Sequence, residues 1–334
     1  MEEYNEFSDK SLPEQEDQVY SWYYDMDPEE LKRLEIKRRK DNKRILFYSG
    51  LYLFIMVMAV LFSQIVISLL SEKFFIELYE FDGFNGLLSI VSFVCIGYPI
   101  FILLMKKLPN SERGEFKKLS LGKFTGFLFI SVAAMYTSNF IGSFISTMIS
   151  NIKGEELSNT LEDFVLNGNM MITMFYGILI APIMEELIFR KILLDKLRRF
   201  GDKPAILMTG VAFGLFHMNL QQFVYASVLG FLFAYLTIRT NTIRYAVILH
   251  MIINSIGIGV APYVLMNKNT LGLIMVSLWM ILSMTIGIVL FILNVKKVKL
   301  NRPEVPLVKK RDYIFNPGWM LFYIICLGLI ILTL

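Results

Sequence analysis

The chain has 334 residues, of which 55% are hydrophobic and 19% charged, with a mean hydropathy of +0.54 and a formal net charge of +4. That is far more apolar surface than one water-soluble core can bury, so the composition excludes a soluble globular enzyme and points to a polytopic membrane protein. Its partners are the lipid bilayer and whatever substrate it meets there, not nucleic acid.

Residues 1–44 are polar, acidic through "PEELKRLE" and then abruptly basic in "KRRKDNKR". They read as a cytosolic tail, partly disordered, with a short helix around 28–43 that leads into the first span. No apolar core with a cleavage site stands near the start, so the tail does not read as a signal peptide.

Crossing about 30 Å of hydrocarbon takes roughly 17–25 helical residues. Apolar stretches of that kind fall near 45–70, 84–105, 124–149, 171–189, 222–238, 245–265, 270–294 and 318–334. A shorter one, 204–217, opens with Pro204, a good first-turn residue. The predicted fold is therefore all-α, a transmembrane helix bundle of eight or nine spans. It divides into an N-terminal scaffold at 45–123, a bundle at 124–265 and C-terminal helices at 266–334. Basic loops at 106–123, 190–203, 239–244 and 295–312 alternate with mostly acidic ones at 71–83 and 151–170, an uncharged one at 218–221 and one at 266–269 with a single lysine. The positive-inside rule then puts the N-terminus in the cytosol. Cys95 and Cys326 lie in apolar runs and match no metal or redox spacing.

Ionisable groups inside a span cost about 2.5–3.5 kcal/mol each by insertion scales, so they are functional candidates. The predicted spans hold no Asp, Lys or Arg. They hold only Glu185, Glu186, His217 and His250, the last two being every histidine in the chain. Residues four apart share a helix face. Glu186 therefore sits over Arg190 near the cytosolic boundary, Phe213 lies one turn from His217, and His250 and Asn254 project together. Glu185, about 100° round the helix from its neighbour, is free to point into the bundle.

A partly desolvated carboxylate can act as general base on water, and imidazole and amide N–H groups can stabilise the oxyanion that follows. Glu185, His217 and His250 could equally hold Zn²⁺ with an open water position, although the helical H-E-x-x-H arrangement is absent. Residue rise creates a tension in depth. If the spans end where the basic loops begin, Glu185 lies about 7 Å inside Arg190 and His250 about 9 Å inside Arg244, but His217 about 21 Å beyond Lys203. The helix carrying His217 is expected to begin in the cytosol, with the site open to that side. Gly230 and Ala234 form a small-x-x-x-small pair that reads as a close helix contact.

The three pieces "EELIFR", "FGLFH" and "HMIIN" read as E-E-x-x-x-R, F-x-x-x-H and H-x-x-x-N, in that order. Over roughly residues 140–260 the chain resembles the CPBP family of intramembrane proteases, also called the Abi or CAAX prenyl protease family. The resemblance implies an intramembrane endopeptidase in which Glu185 activates water, His217 assists, and His250 with Asn254 forms the oxyanion site. Glu186, Arg190 and Phe213 would be structural or substrate-orienting. The substrate would be a peptide or membrane-tethered protein, and whether Zn²⁺ takes part stays open. The location expected is a bacterial plasma membrane. The alternative is a non-proteolytic member acting as a bacteriocin immunity protein or membrane scaffold. A proton-relay transporter would show paired broken helices in inverted repeats. Aspartyl chemistry lacks a span Asp, and serine chemistry lacks an exposed Ser in a G-x-S turn with a His partner.

Overall fold

The computed structural model describes residues 27–111, 114–154, 157, 165, 168–301 and 308–334. Residues 1–26 of the polar tail and most of the acidic 151–170 stretch lie outside them. Contacts divide the chain into Met1–Arg44 and Ile45–Leu334. In the first unit, the described part is the exposed start of a helix. It carries an Arg33–Glu29 ion pair at 3.8 Å and an Asn42 side-chain bond to the Arg38 carbonyl.

All regular structure among the described residues is helical. The main elements are α1 (Pro28–Phe74), α2 (Phe84–Met105), α3 (Leu121–Lys153), α4 (Met170–Phe200), α5 (Asp202–Phe216), α6 (Leu220–Thr240), α7 (Arg244–Met266), α8 (Thr270–Lys297) and α9 (Pro317–Leu332). Seven of these are long and apolar enough to cross a membrane. The two remaining candidates, α5 and α9, are shorter, at 15 and 16 residues. The polytopic helical bundle is as the sequence predicts, with these two helices accounting for the difference in count.

Asparagine opens many of these helices. The side chains of Asn169, Asn219, Asn269 and Asn316 accept backbone N–H bonds from the first turns of α4, α6, α8 and α9. Each satisfies a donor that the helix itself cannot, which is worth about 1 kcal/mol. Inside the spans, proline shapes the backbone. The wide π-helical turns Val91–Gly97, Phe175–Ile180 and Ser255–Val260 immediately precede the turns that hold Pro99, Pro182 and Pro262. A proline ring collides with the carbonyl four residues back and offers no N–H. Widening the preceding turn relieves both problems. A fourth wide turn, Leu187–Leu193, follows the glutamate pair and contains no proline.

Close helix contacts are made at glycine. A Cβ on Gly214 would lie 2.0 Å from Ser227 Oγ and 2.6 Å from the Phe223 carbonyl. One on Gly230 would lie 2.7 Å from the Gly210 Cα, so α5 and α6 approach backbone to backbone. Gly142 of α3 backs onto Gln221, and Gly287 of α8 onto Phe129 and Ala133 of α3. At the far end of the chain, Trp319 is fully buried beside Gly50 and donates its indole N–H to the Leu46 carbonyl at 3.0 Å.

Between α4 and α5 the structure departs from the sequence reading in one respect. The 190–203 segment, expected as a basic loop, continues the helix of α4 to Phe200, and Arg190, Asp195 and Lys196 are buried. The basic side chains find partners in the 108–111 turn. Lys196 donates to the Leu108 carbonyl at 2.7 Å and to Asn110, and Arg199 donates to the carbonyls of Pro109 and Asn110. The chain reverses at Gly201, whose φ of 98° belongs to the region glycine occupies without steric cost.

Candidate active site

The hairpin at Gly201 removes the depth tension. Glu185 and His217 are equally far from Gly201 in sequence, as are Phe189 and Phe213. The two phenylalanine rings meet at 5.3 Å, edge to face. Two helices leaving one turn with equal residue counts bring Glu185 and His217 to the same level. His217 caps the end of α5, just before the left-handed Met218 that starts the turn into α6.

A cavity of about 860 Å³ opens at that level. Glu185, Phe213, His217, His250 and Asn254 all line it, whereas Glu186 and Arg190 do not. The sequence places these residues on three separate helices or their ends, and the fold brings them around one space.

His250 joins the two glutamates. Its Nδ1–H donates to Glu186 Oε1 at 3.1 Å, and its Nε2 faces Glu185 Oε2 at 3.7 Å. The second distance is longer than a hydrogen bond. Behind Glu186, the Arg190 guanidinium stands 3.0 Å from the same Oε1, both side chains wholly buried. Arg190 lies over the Phe213 ring at 4.2 Å, with Phe233 at 5.6 Å and Phe189 at 6.0 Å. Aromatic faces attract a guanidinium and are its chief company here besides Glu186. Arg190 was expected near the membrane boundary. It is instead enclosed within the bundle, because α4 runs ten residues past it.

The other two polar groups have defined orientations. His217 Nδ1 is 2.9 Å from the Phe213 carbonyl. A carbonyl only accepts, so Nδ1 carries the proton and Nε2 has a lone pair whenever the ring is neutral. Asn254 Nδ2 donates to the Gly177 carbonyl at 2.7 Å, within the wide turn before Pro182. The bond fixes which end of the amide is nitrogen and leaves that nitrogen a second hydrogen. Phe213 touches both imidazoles edge-on, at 5.0 Å from His217 and 5.8 Å from His250.

Glu185, His217 and His250 were the residues that could hold Zn²⁺. Among the described residues, no three His, Cys, Asp or Glu side chains are gathered closely enough to hold a metal ion. Glu185 and His250 face each other, and the Phe213 ring packs edge-on against both histidines.

The cavity also uses residues that motif reasoning passed over: Asn139 and Tyr136 of α3, Tyr176 of α4, and Gln221, Gln222 and Tyr225 of α6. Their one sequence signal was amides at span ends, "NLQQ" above all, which is ordinary interface composition.

Residues 167–256 match the family model described as Type II CAAX prenyl endopeptidase Rce1-like. Every motif residue named above falls inside that match. Over this segment the chain is similar to the CPBP, or CAAX protease, family. It is 28% identical over 179 residues to "Putative membrane peptidase YdiL" of Bacillus subtilis (strain 168), a match covering 51% of this chain and 70% of the relative. No solved structure matches it significantly. The Glu186–His250 bond ties the second glutamate of E-E-x-x-x-R to the histidine of H-x-x-x-N.

Proposed function

We propose that the protein is an intramembrane endopeptidase that hydrolyses a peptide bond with water activated by Glu185. The observation that carries this reading is the facing of Glu185 Oε2 and His250 Nε2 at 3.7 Å on the wall of a cavity large enough for a peptide segment. Glu185 accepts a proton from water, whose oxygen attacks the scissile carbonyl carbon. The negative charge that develops on the carbonyl oxygen is met by the free Asn254 Nδ2–H and by His250 in its protonated form, which Glu186 stabilises from behind. The tetrahedral intermediate collapses by breaking the C–N bond, and the proton taken by Glu185 passes to the leaving amine. His217 Nε2 is available to steady the attacking water. No step passes through a metal.

The substrate class is a peptide or membrane-associated protein, and the membrane is the bacterial plasma membrane with the N-terminus in the cytosol. The basic and acidic alternation of the loops supports that orientation.

The test is cleavage of a pooled library of lipidated and unlipidated peptides by purified protein in liposomes, with Glu185→Ala, Glu186→Ala and a chelator series in parallel. Cleavage by wild type, lost in Glu185→Ala with the fold intact and unaffected by chelator, is the result expected. Silence of wild type and variant alike, with Glu185→Ala still supporting the cellular role, returns the protein to the scaffold or immunity class.

A further inference from the structure

The contact between α5 and α6 fixes the level of a phenol in the cavity wall. A Cβ on Gly214 would meet the Phe223 carbonyl at 2.6 Å and Ser227 Oγ at 2.0 Å. Those two residues bracket Tyr225, so α6 passes α5 with Tyr225 level with Gly214, three residues before His217. Tyr225, Gln222, His217 and Glu185 all line the same cavity.

Tyr225 and Gln222 act as a unit. Gln222 Nε2 donates to the Tyr225 hydroxyl at 3.2 Å, and the Gln222 backbone N–H is itself bonded to the Asn219 side chain that opens α6. A phenol oxygen has lone pairs to accept with and one hydrogen to give. Accepting from Gln222 therefore orients the hydroxyl, leaves its hydrogen to donate, and polarises the O–H bond so that it donates more strongly. No step of the hydrolysis described above uses this group. A peptide entering the cavity brings carbonyls on either side of the scissile bond, each of which loses water and needs a donor. Three helical residues rise about 4.5 Å, and an extended chain advances about 3.4 Å per residue. With the scissile carbonyl at the level of Glu185 and His217, a chain lying along the helices places a carbonyl one or two residues away at the level of the phenol.

We infer that Tyr225, backed by Gln222, is a substrate-binding residue whose hydroxyl donates to a backbone carbonyl one or two residues from the scissile bond. The occupant rests on the peptidase reading, and the placement of the donor on the cavity alone. The contact reads main chain and not side chain, so it aligns the bond for Glu185 whatever sequence is presented.

The probes are end-capped, Leu- and Ala-rich peptides with a central photo-leucine, in which one peptide unit at a time is replaced by a trans-alkene that keeps the extended shape and removes the carbonyl. They are incubated with full-length wild type, Tyr225→Phe and Gln222→Leu in phosphatidylcholine vesicles. Crosslinking yield at cavity residues reads binding, and mass spectrometry reads cleavage. Tyr225→Phe is expected to lower the yield with the all-amide peptide about three- to tenfold at unchanged melting temperature, with Gln222→Leu in between. In wild type one alkene position, one or two residues from the cut bond, should give the same loss. In Tyr225→Phe that position should cost nothing further, which is the coupling expected of direct partners. An unchanged yield in Tyr225→Phe, equal losses at every alkene position in both proteins, a coupled position remote from the cut, or no crosslinking overturns the inference. Coupling in crosslinking with no cleavage of any peptide upholds the contact and counts against the peptidase reading.

Discussion

A single oxygen of Glu186 serves two neighbours: Oε1 is 3.1 Å from His250 Nδ1 and 3.0 Å from the Arg190 guanidinium. The carboxylate compensates a cation that has no water to turn to, and it sets the orientation of the imidazole on the cavity wall. Those two duties can be separated by mutation.

Glu186→Gln leaves Arg190 as an uncompensated buried charge, and stability is expected to fall by about 3–5 kcal/mol. Combining it with Arg190→Met removes the cation too, and thermal unfolding in detergent should return most of the way to wild type. Cleavage should stay low in the double variant, because a neutral amide no longer stabilises protonated His250. Full activity there would detach Glu186 from the chemistry.

Glu185→Gln should behave oppositely. Glu185 faces a cavity and approaches His250 at 3.7 Å, so the melting temperature is expected to hold while the cleavage rate drops by about 10²–10⁴-fold. A variant that retains wild-type rate sinks the water-activation role.

The Asn254 amide is held in place by its bond to the Gly177 carbonyl. Asn254→Ala should lower kcat by about 10²-fold or more with KM little changed, as expected for a donor used only in the transition state. A change confined to KM would mark Asn254 as a substrate-binding group.

Phe213 packs on Arg190 and on both histidines. Phe213→Ala should cost about 3–5 kcal/mol through the void and the lost cation contact. Phe213→Leu should keep the fold and lower activity, read as a loss of rate at unchanged melting temperature. Activity equal to wild type in Phe213→Leu would show that the ring only fills space.

The α5–α6 contact makes a steric prediction. Gly214→Ala places a methyl where Ser227 Oγ and the Phe223 carbonyl already stand, so destabilisation of about 1–3 kcal/mol is expected. Gly126→Ala, with nothing within 4 Å of the new carbon, should be neutral or mildly stabilising. Equal melting temperatures for the two variants would contradict the close approach.

The spans and the motif residues were legible because charge is so rare in apolar helices that Glu185, Glu186, His217 and His250 stood out. Gly230 was likewise readable as a close helix contact, and its partner is Gly210 on the preceding helix. Arg190 was misplaced because its flanking Lys191, Lys196, Arg198 and Arg199 resemble a solvated loop. Only the three-dimensional turn at 108–111 reveals the carbonyls that accept from Lys196 and Arg199. The Glu186–His250 bond spans sixty-four positions and has no local signature. The amide lining was invisible for the opposite reason: Asn139, Gln221 and Gln222 are what any interface contains, and only their convergence on one cavity distinguishes them.

The wide turns bear on how such a chain can change over time. Each extra residue in Phe175–Ile180 or Leu187–Leu193 shifts everything beyond it by about 100° around the helix. Removing one position from the turn before Pro182 would swing the glutamate pair away from the imidazole while altering no motif letter. Two homologues with identical signatures but helices differing by one residue there would not share a working site. Spacing from Gly177 to Glu185 is therefore as much a hallmark of competence as the carboxylates themselves.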